Sequence, residues 1–188
     1  MVMKENRRTQ MTKKLLKESV FELMEKKPLN KITIKEICAN ADVNRTTFYK
    51  YYGDQYMLVK DAEGELLRKT SEFLKNLSSD EEKITLLEEF LAYMRANGDT
   101  FRILLDKNSD TDFRINMMKV AMEKVLAEKY EPKIQDEGKK YVFSMIIMGA
   151  INTIGLWIDS GYDMSERELA ELMFRFVDAG IKEIEIKE

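Results

Sequence analysis

The chain holds 188 residues, 44% of them hydrophobic, with eight glycines and two prolines. This supplies a buried core but few turns, and predicts an all-α fold. A single cysteine excludes an internal disulfide, and the absence of histidine excludes Ser-His triads and His-ligated metals. The net charge of -3 hides an asymmetry: residues 1–60 carry thirteen Lys/Arg against seven Asp/Glu, a balance of +6, while the rest carry 18 against 27, a balance of -9. A basic head on an acidic body implies that only the head meets a polyanion.

In chain order, Met1–Gln10 carries Lys4, Arg7 and Arg8 without hydrophobic periodicity and reads as a flexible basic arm, too polar for a signal peptide, so a cytoplasmic setting is expected. From Met11 to Lys26, Leu16, Val20 and Leu23 follow helical spacing, with Phe21 and Met24 widening the stripe; Pro28 closes that helix. Thr33 and Glu36 form a capping box for a short helix whose Ile34, Ile37, Cys38 and Ala41 share one face. Asn40–Val43 breaks the pattern. Asn44 is an N-cap for a second short helix, in which Phe48 and Tyr52 turn to the side of Val43.

The outer face left to that second helix is Arg45, Thr46, Thr47, Tyr49 and Lys50, rich in donors and free of carboxylates, as a surface facing phosphates and base edges must be. Thr33–Tyr52 therefore reads as a DNA-binding helix-turn-helix within a head domain of residues 1–53. Thr33, Asn44 and the five outward residues are its candidate contacts. Arg45 is the base reader, because its fork fits a guanine edge, and Thr33, Tyr49 and Lys50 are assigned to phosphate.

Ile37, Ala41, Val43, Thr47, Phe48, Tyr49, Tyr52 and Leu58 together resemble the helix-turn-helix of the TetR family of transcriptional regulators, over roughly Met11 to Lys60. The family often has Gly where Asp42 and Thr46 stand, Phe at Tyr52 and a Lys near Gln55. The resemblance implies an all-helical dimer that binds double-stranded, palindromic operator DNA and whose second domain senses an effector.

That second domain, residues 54–188, opens with a turn at Gly53-Asp54 and a helix to about Asn76, some 22 residues spanning roughly 33 Å. Ser78–Asp80 caps a helix ending near Asn97-Gly98, and Thr100–Leu105 is a short amphipathic piece. Asp106–Asp112 imitates a calcium loop, but Thr111 stands where Gly is needed and Met117 where Glu is needed, so a helix connection and no metal site are expected. A helix from Asp112 runs to about Tyr130, before Pro132.

Tyr141–Ile158 carries no charge and approaches the length of a membrane span, yet Gly149, Asn152, Thr153 and Gly155 suit a helix held between its own domain and a partner subunit. Asp159–Gly161 ends it. Ser165 and Glu168 cap the last helix, which carries Leu169, Leu172, Met173, Phe176 and Val177. The candidate homodimer interface is Met148, Gly149, Ile151, Asn152 and Phe176, and no membrane contact is expected. An interhelical effector pocket is expected from Leu66, Phe90, Tyr93, Met118, Met122, Tyr141, Met145 and Trp157. With neither a P-loop nor a GxGxxG, and Cys38 on an inner stripe, no catalytic residue and no cofactor are expected. The leading expectation is a repressor released by a small molecule of unknown identity; the alternatives are a similar regulator controlled by a protein partner, as an activator, and a helical scaffold.

Overall fold

The computed structural model describes residues 6–74, 80–106, 111–129 and 137–185. Among them regular structure is helical throughout: α1 (Arg7–Met24), a 3-10 turn (Leu29–Lys31), α2 (Ile34–Asn40), α3 (Arg45–Tyr51), α4 (Gln55–Leu74), α5 (Asp80–Ala96), α6 (Gly98–Leu105), α7 (Phe113–Lys129), α8 (Glu137–Asp159) and α9 (Glu166–Glu185). By contact the chain forms two compact units, the first ending at Leu66 and the second starting at Leu67, so α4 contributes residues to both.

The first unit closes on side chains that the helical periodicity places inward. Leu16, Val20 and Phe21 of α1, Ile37 and Cys38 of α2 and Phe48 of α3 are all buried, with α1 packed on α2 and α2 on α3. The Ser19 hydroxyl, buried with them, donates to the Ile37 carbonyl at 2.9 Å and ties α1 to the end of α2. One expectation fails at the N-terminus. Arg7 and Arg8 do not belong to an arm, because the Asn6 side chain accepts from the Arg8 backbone at 3.2 Å and starts α1 at Arg7. Lys4 lies outside the described residues.

A polar cluster then fastens the first half of α4. Lys17 Nζ lies 2.9 Å from Asp61 Oδ2 and 2.8 Å from Glu65 Oε2, and the Tyr52 hydroxyl donates to the same Asp61 oxygen at 2.8 Å. Burial acts to raise the Asp61 pKa, but the hydrogen bonds from Lys17 and Tyr52 outweigh it and hold the carboxyl below its usual range. Burial acts to lower the Lys17 pKa, and Glu65 and Asp61 together overcome it and raise it. A depressed carboxyl stabilises the fold above its unfolded pKa, near ~4, and loses that contribution as pH falls through its folded value; a raised amine loses its contribution only as pH climbs beyond ~10.4. The acid limb is the accessible one. From about pH 4 downward, unfolding of the wild-type first unit is expected to be promoted more steeply than that of Asp61→Asn, by about 1 kcal/mol or less because these groups are part-exposed. Superimposable acid melts of the two proteins would remove the cluster from the account.

In the second unit α5 packs on α9 and α7 on α8, and α6 touches α5, α7 and α8. Ile147, Ile151, Ile154 and Ile158 of α8 are buried, and so are Leu169, Ala170 and Met173 of α9. Rings run through the interior: Phe73 lies 5.2 Å from Phe90 and 6.2 Å from Tyr93, Tyr93 lies 6.1 Å from Phe101, and Phe101 lies 6.1 Å from Phe113. Gly161 at φ +72° and Tyr162 at φ 65° turn the chain between α8 and α9. The Tyr162 ring then stands edge-on to Trp157 at 4.9 Å and beneath the Arg95 guanidinium at 4.8 Å. Gly98 is required there, since a Cβ on it would overlap the Tyr162 hydroxyl. The Ser165–Glu168 capping box forms as expected, with the Ser165 amide donating to Glu168 Oε2 at 2.9 Å. No helix among the described residues is long and apolar enough to cross a membrane. Most of the calcium-like stretch, at positions 107–110, lies outside the described residues.

Candidate nucleic-acid interface

Two short helices and a tight turn set the geometry of the head. The capping box opens α2: the Thr33 hydroxyl accepts from the Glu36 amide at 3.3 Å, while the Thr33 amide and hydroxyl donate to Glu36 Oε2 at 2.9 and 2.8 Å. Lys27 Nζ, 2.6 Å from the other carboxylate oxygen, is the largest cause that lowers the Glu36 pKa to about 2, and the two Thr33 bonds add to it. Thr33, expected on phosphate, thus spends both its donors on a carboxylate that stays ionised, which ties it to the helix start.

Between α2 and α3 the chain reverses in four residues. Ala41 ends α2, Asp42 adopts φ 52°, and the Val43 amide returns to the Cys38 carbonyl at 2.9 Å. Asp is among the few residues other than Gly that enter this left-handed region readily, so the difference from the family's frequent Gly leaves the turn intact. The Asn44 side chain accepts from the Thr46 amide at 2.9 Å and caps α3. Burial pushes the Cys38 thiol up, against the pull of the nearby Arg45 charge, and keeps it a protonated core group.

α3 is divided sharply by burial. Phe48 is fully buried, with Tyr52 just beyond the helix tilted against it at 5.8 Å, whereas Asn44, Arg45, Thr46, Tyr49 and Lys50 are exposed and Thr47 is half-buried. Tyr49 stands edge-on to Phe48 at 5.7 Å, so its exposed ring is fixed from below. Six of the seven expected contact residues, Asn44, Arg45, Thr46, Thr47, Tyr49 and Lys50, therefore lie on α3 or at its cap, while Thr33 caps α2. Tyr51 escaped the sequence reading: it is half-buried beside α1, where Thr9 Oγ1 lies 3.4 Å from its hydroxyl. Its place at i+4 from Thr47 was the available signal.

The other expected sites divide differently. Phe90 and Tyr93 join the ring series of the second unit, and Trp157 is buried with its indole N–H donating to the Met164 carbonyl at 2.8 Å. Met118 is half-buried, Leu66 is buried in the first unit, and the Met122 side chain lies outside the described residues. Tyr141 and Met145 are 68% and 66% exposed, which takes them out of any interior pocket of the protomer. They share a helical face with Asn152 and with Leu156, 67% exposed, because residues spaced by three and four recur on one side of α8. Met148 and Gly149 are half-buried, and Phe176 of α9 is 67% exposed. Ile151 is buried in its own protomer, to one side of that face, and is withdrawn from the interface set.

Residues 81–179, more than half of the chain, match the TetR_C_8 family, a transcriptional regulator C-terminal region. The chain belongs to the TetR family of transcriptional regulators. Its fold is shared with a tetR-family transcriptional regulator from Streptomyces coelicolor, at TM-score 0.68 and 16% identity over 90% of this chain and 82% of that one. FadR from Bacillus subtilis, solved with stearoyl-CoA, aligns at TM-score 0.63 and 16% identity over 89% of this chain and 98% of its own. The dihydroxyacetone kinase operon activator DhaS aligns at TM-score 0.58 and 21% identity over 93% and 97%. No curated protein sequence gives a significant match.

Proposed function

We propose that the chain is a cytoplasmic, homodimeric, sequence-specific binder of palindromic duplex DNA, dividing the work between a head of residues 1–53 and a body of residues 54–188. In this reading it is a repressor that a small molecule bound in the body releases. The observation that carries the DNA assignment is the outward face of α3, where Arg45, Thr46, Tyr49 and Lys50 are exposed on a helix fixed by the buried Phe48. A helix of this kind enters a major groove, with Arg45 reading a base edge and Tyr49 and Lys50 meeting phosphate. Selection from a random duplex pool tests it: an enriched sequence with two symmetric half-sites supports the reading, and enrichment of none removes it. On the selected duplex, Arg45→Ala is expected to cost about 1–3 kcal/mol and relax preference at one base pair. Lys50→Ala is expected to weaken all sequences alike and to lower the salt slope by about one. An Arg45 variant with unaltered preference would end its assignment.

Dimerisation is supported by the apolar face of α8, Tyr141, Met145 and Leu156, together with Leu172 and Phe176 of α9, since side chains of this size are left in water by the protomer alone. Control by a protein partner is the second reading. It is favoured by the scatter of the expected effector residues, of which only Phe90 and Tyr93 belong to the continuous ring series. FadR was solved with stearoyl-CoA and DhaS is named an activator, so a ligand-holding regulator and an activator both share this fold. Release of the selected duplex by a small molecule, read with Trp157 fluorescence, supports the first mode; release only by an added protein supports the second.

A further inference from the structure

The exposed face of α8 has a polar centre that its apolar flanks do not explain. Asn152 stands between Met145 and Leu156 on the face that also carries Tyr141, and no residue from 141 to 158 is charged. The charge beside it comes from α7, where the Arg114 guanidinium donates to Asn152 Oδ1 at 2.5 Å. A guanidinium only donates, so it settles which end of the amide is which: the carbonyl oxygen is held by α7, and Nδ2 is the other end. Arg114 is the one hydrogen-bond partner of this side chain among the described residues, which leaves a lone pair on Oδ1 and two N–H donors for whatever covers the face. Gly149 and Gly155 flank Asn152, three residues to either side. A Cβ on either meets nothing within 4 Å, so nothing in the protomer requires these glycines, although glycine is the poorest helix former after proline. What they provide is bare backbone beside Asn152, over which a second helix comes close.

We propose that the two-fold axis of the homodimer passes between Asn152 and the partner's Asn152, each amide donating from Nδ2 to the other's Oδ1, with Arg114 as the positioning residue that holds the amide. The inference rests on the dimeric reading above and deepens it from a face to a contact. An amide is its own complement, because a two-fold operation returns its donor to its acceptor. Each Oδ1 then uses both lone pairs, one on its own Arg114 and one on the partner's amide. A second copy is favoured over a charged protein because residues 141–158 offer no charge to attract one, and Arg114 is already engaged. Tyr141, Met145 and Leu156 alone would accept any apolar surface; one polar pair among them fixes register and selects an identical subunit.

The test uses the full chain and begins with the place of the axis. Asn152→Cys, Met145→Cys and Leu156→Cys, all at exposed positions, are oxidised separately with copper phenanthroline, and the wild type, whose Cys38 is buried, is the unlinked control. Asn152→Cys should form the covalent dimer about tenfold faster than either of the others, since a disulfide needs its two Cα atoms close together. Selectivity is then read by mixing tagged wild type with Asn152→Leu. Each should pair with itself, and mixed dimers should form at about a tenth of the statistical share, because they strand one amide against a leucine. Arg114→Ala in both chains should weaken this discrimination, whereas a role confined to packing α7 on α8 would leave it unchanged. Faster linking at Met145→Cys or Leu156→Cys, or statistical mixing, overturns the Asn152 pair while leaving the dimer in place. A wild-type chain that sediments as a monomer removes the dimeric reading and the pair with it.

Discussion

Replacing Phe48 with alanine is expected to melt the first unit while the helices of the second remain folded. Phe48 is fully buried at the centre of the helix-turn-helix, in ring contact with Tyr49 and Tyr52. Truncating such a side chain costs about 3–5 kcal/mol, the transfer term plus the void it leaves. A unit of some sixty residues has about that much stability to lose. Hydrogen exchange resolves the outcome: amides of α2 and α3 should lose protection while those of α8 and α9 keep theirs, and DNA binding should vanish. Retained protection in α2 and α3 would mean that the head is held by something other than this core.

The second large effect is expected from charge on the exposed face of α8. A Cβ at Gly149 meets nothing of its own chain within 4 Å, so the side chain of Gly149→Asp starts into open space on α8. Combined with Phe176→Asp, on a side chain 67% exposed, it should give monomers of unchanged helix content. Their affinity for the selected duplex should fall by about 100-fold or more, because two heads no longer engage together. Sedimentation showing that wild type and variant share one oligomeric state would refute the proposed seam.

What could be read from the sequence was what is local. The capping boxes at Thr33–Glu36 and Ser165–Glu168 and the Asn44 cap act within three residues, and each forms as written. The two faces of α3 followed from helical spacing alone. By contrast, the Lys17 cluster joins residues some forty-five positions apart, and no pattern near Lys17 announces Asp61 or Glu65. The start of α1 was missed because Arg7 to Gln10 carries no apolar residue, and only Asn6 marks the helix. On α8 the difficulty was excess: with apolar residues on nearly every side, composition cannot say which face turns inward. The β-branched series Ile147, Ile151, Ile154 and Ile158 does so, and it leaves Tyr141, Met145 and Leu156 outside, where two of the three had been expected to line a pocket. Tyr162 belongs to the same class of omission, since its role depends on a left-handed turn and on Gly98, more than sixty residues away.

The most direct test of the central claim is a hydroxyl-radical footprint of the wild-type chain on the selected duplex. The account predicts two protected patches related by a two-fold axis, centred about one helical turn, roughly 34–36 Å, or a multiple of it apart. Both patches should disappear together in the Gly149→Asp, Phe176→Asp double variant. A single patch, or protection that does not follow sequence, would contradict a dimeric reader built on α3.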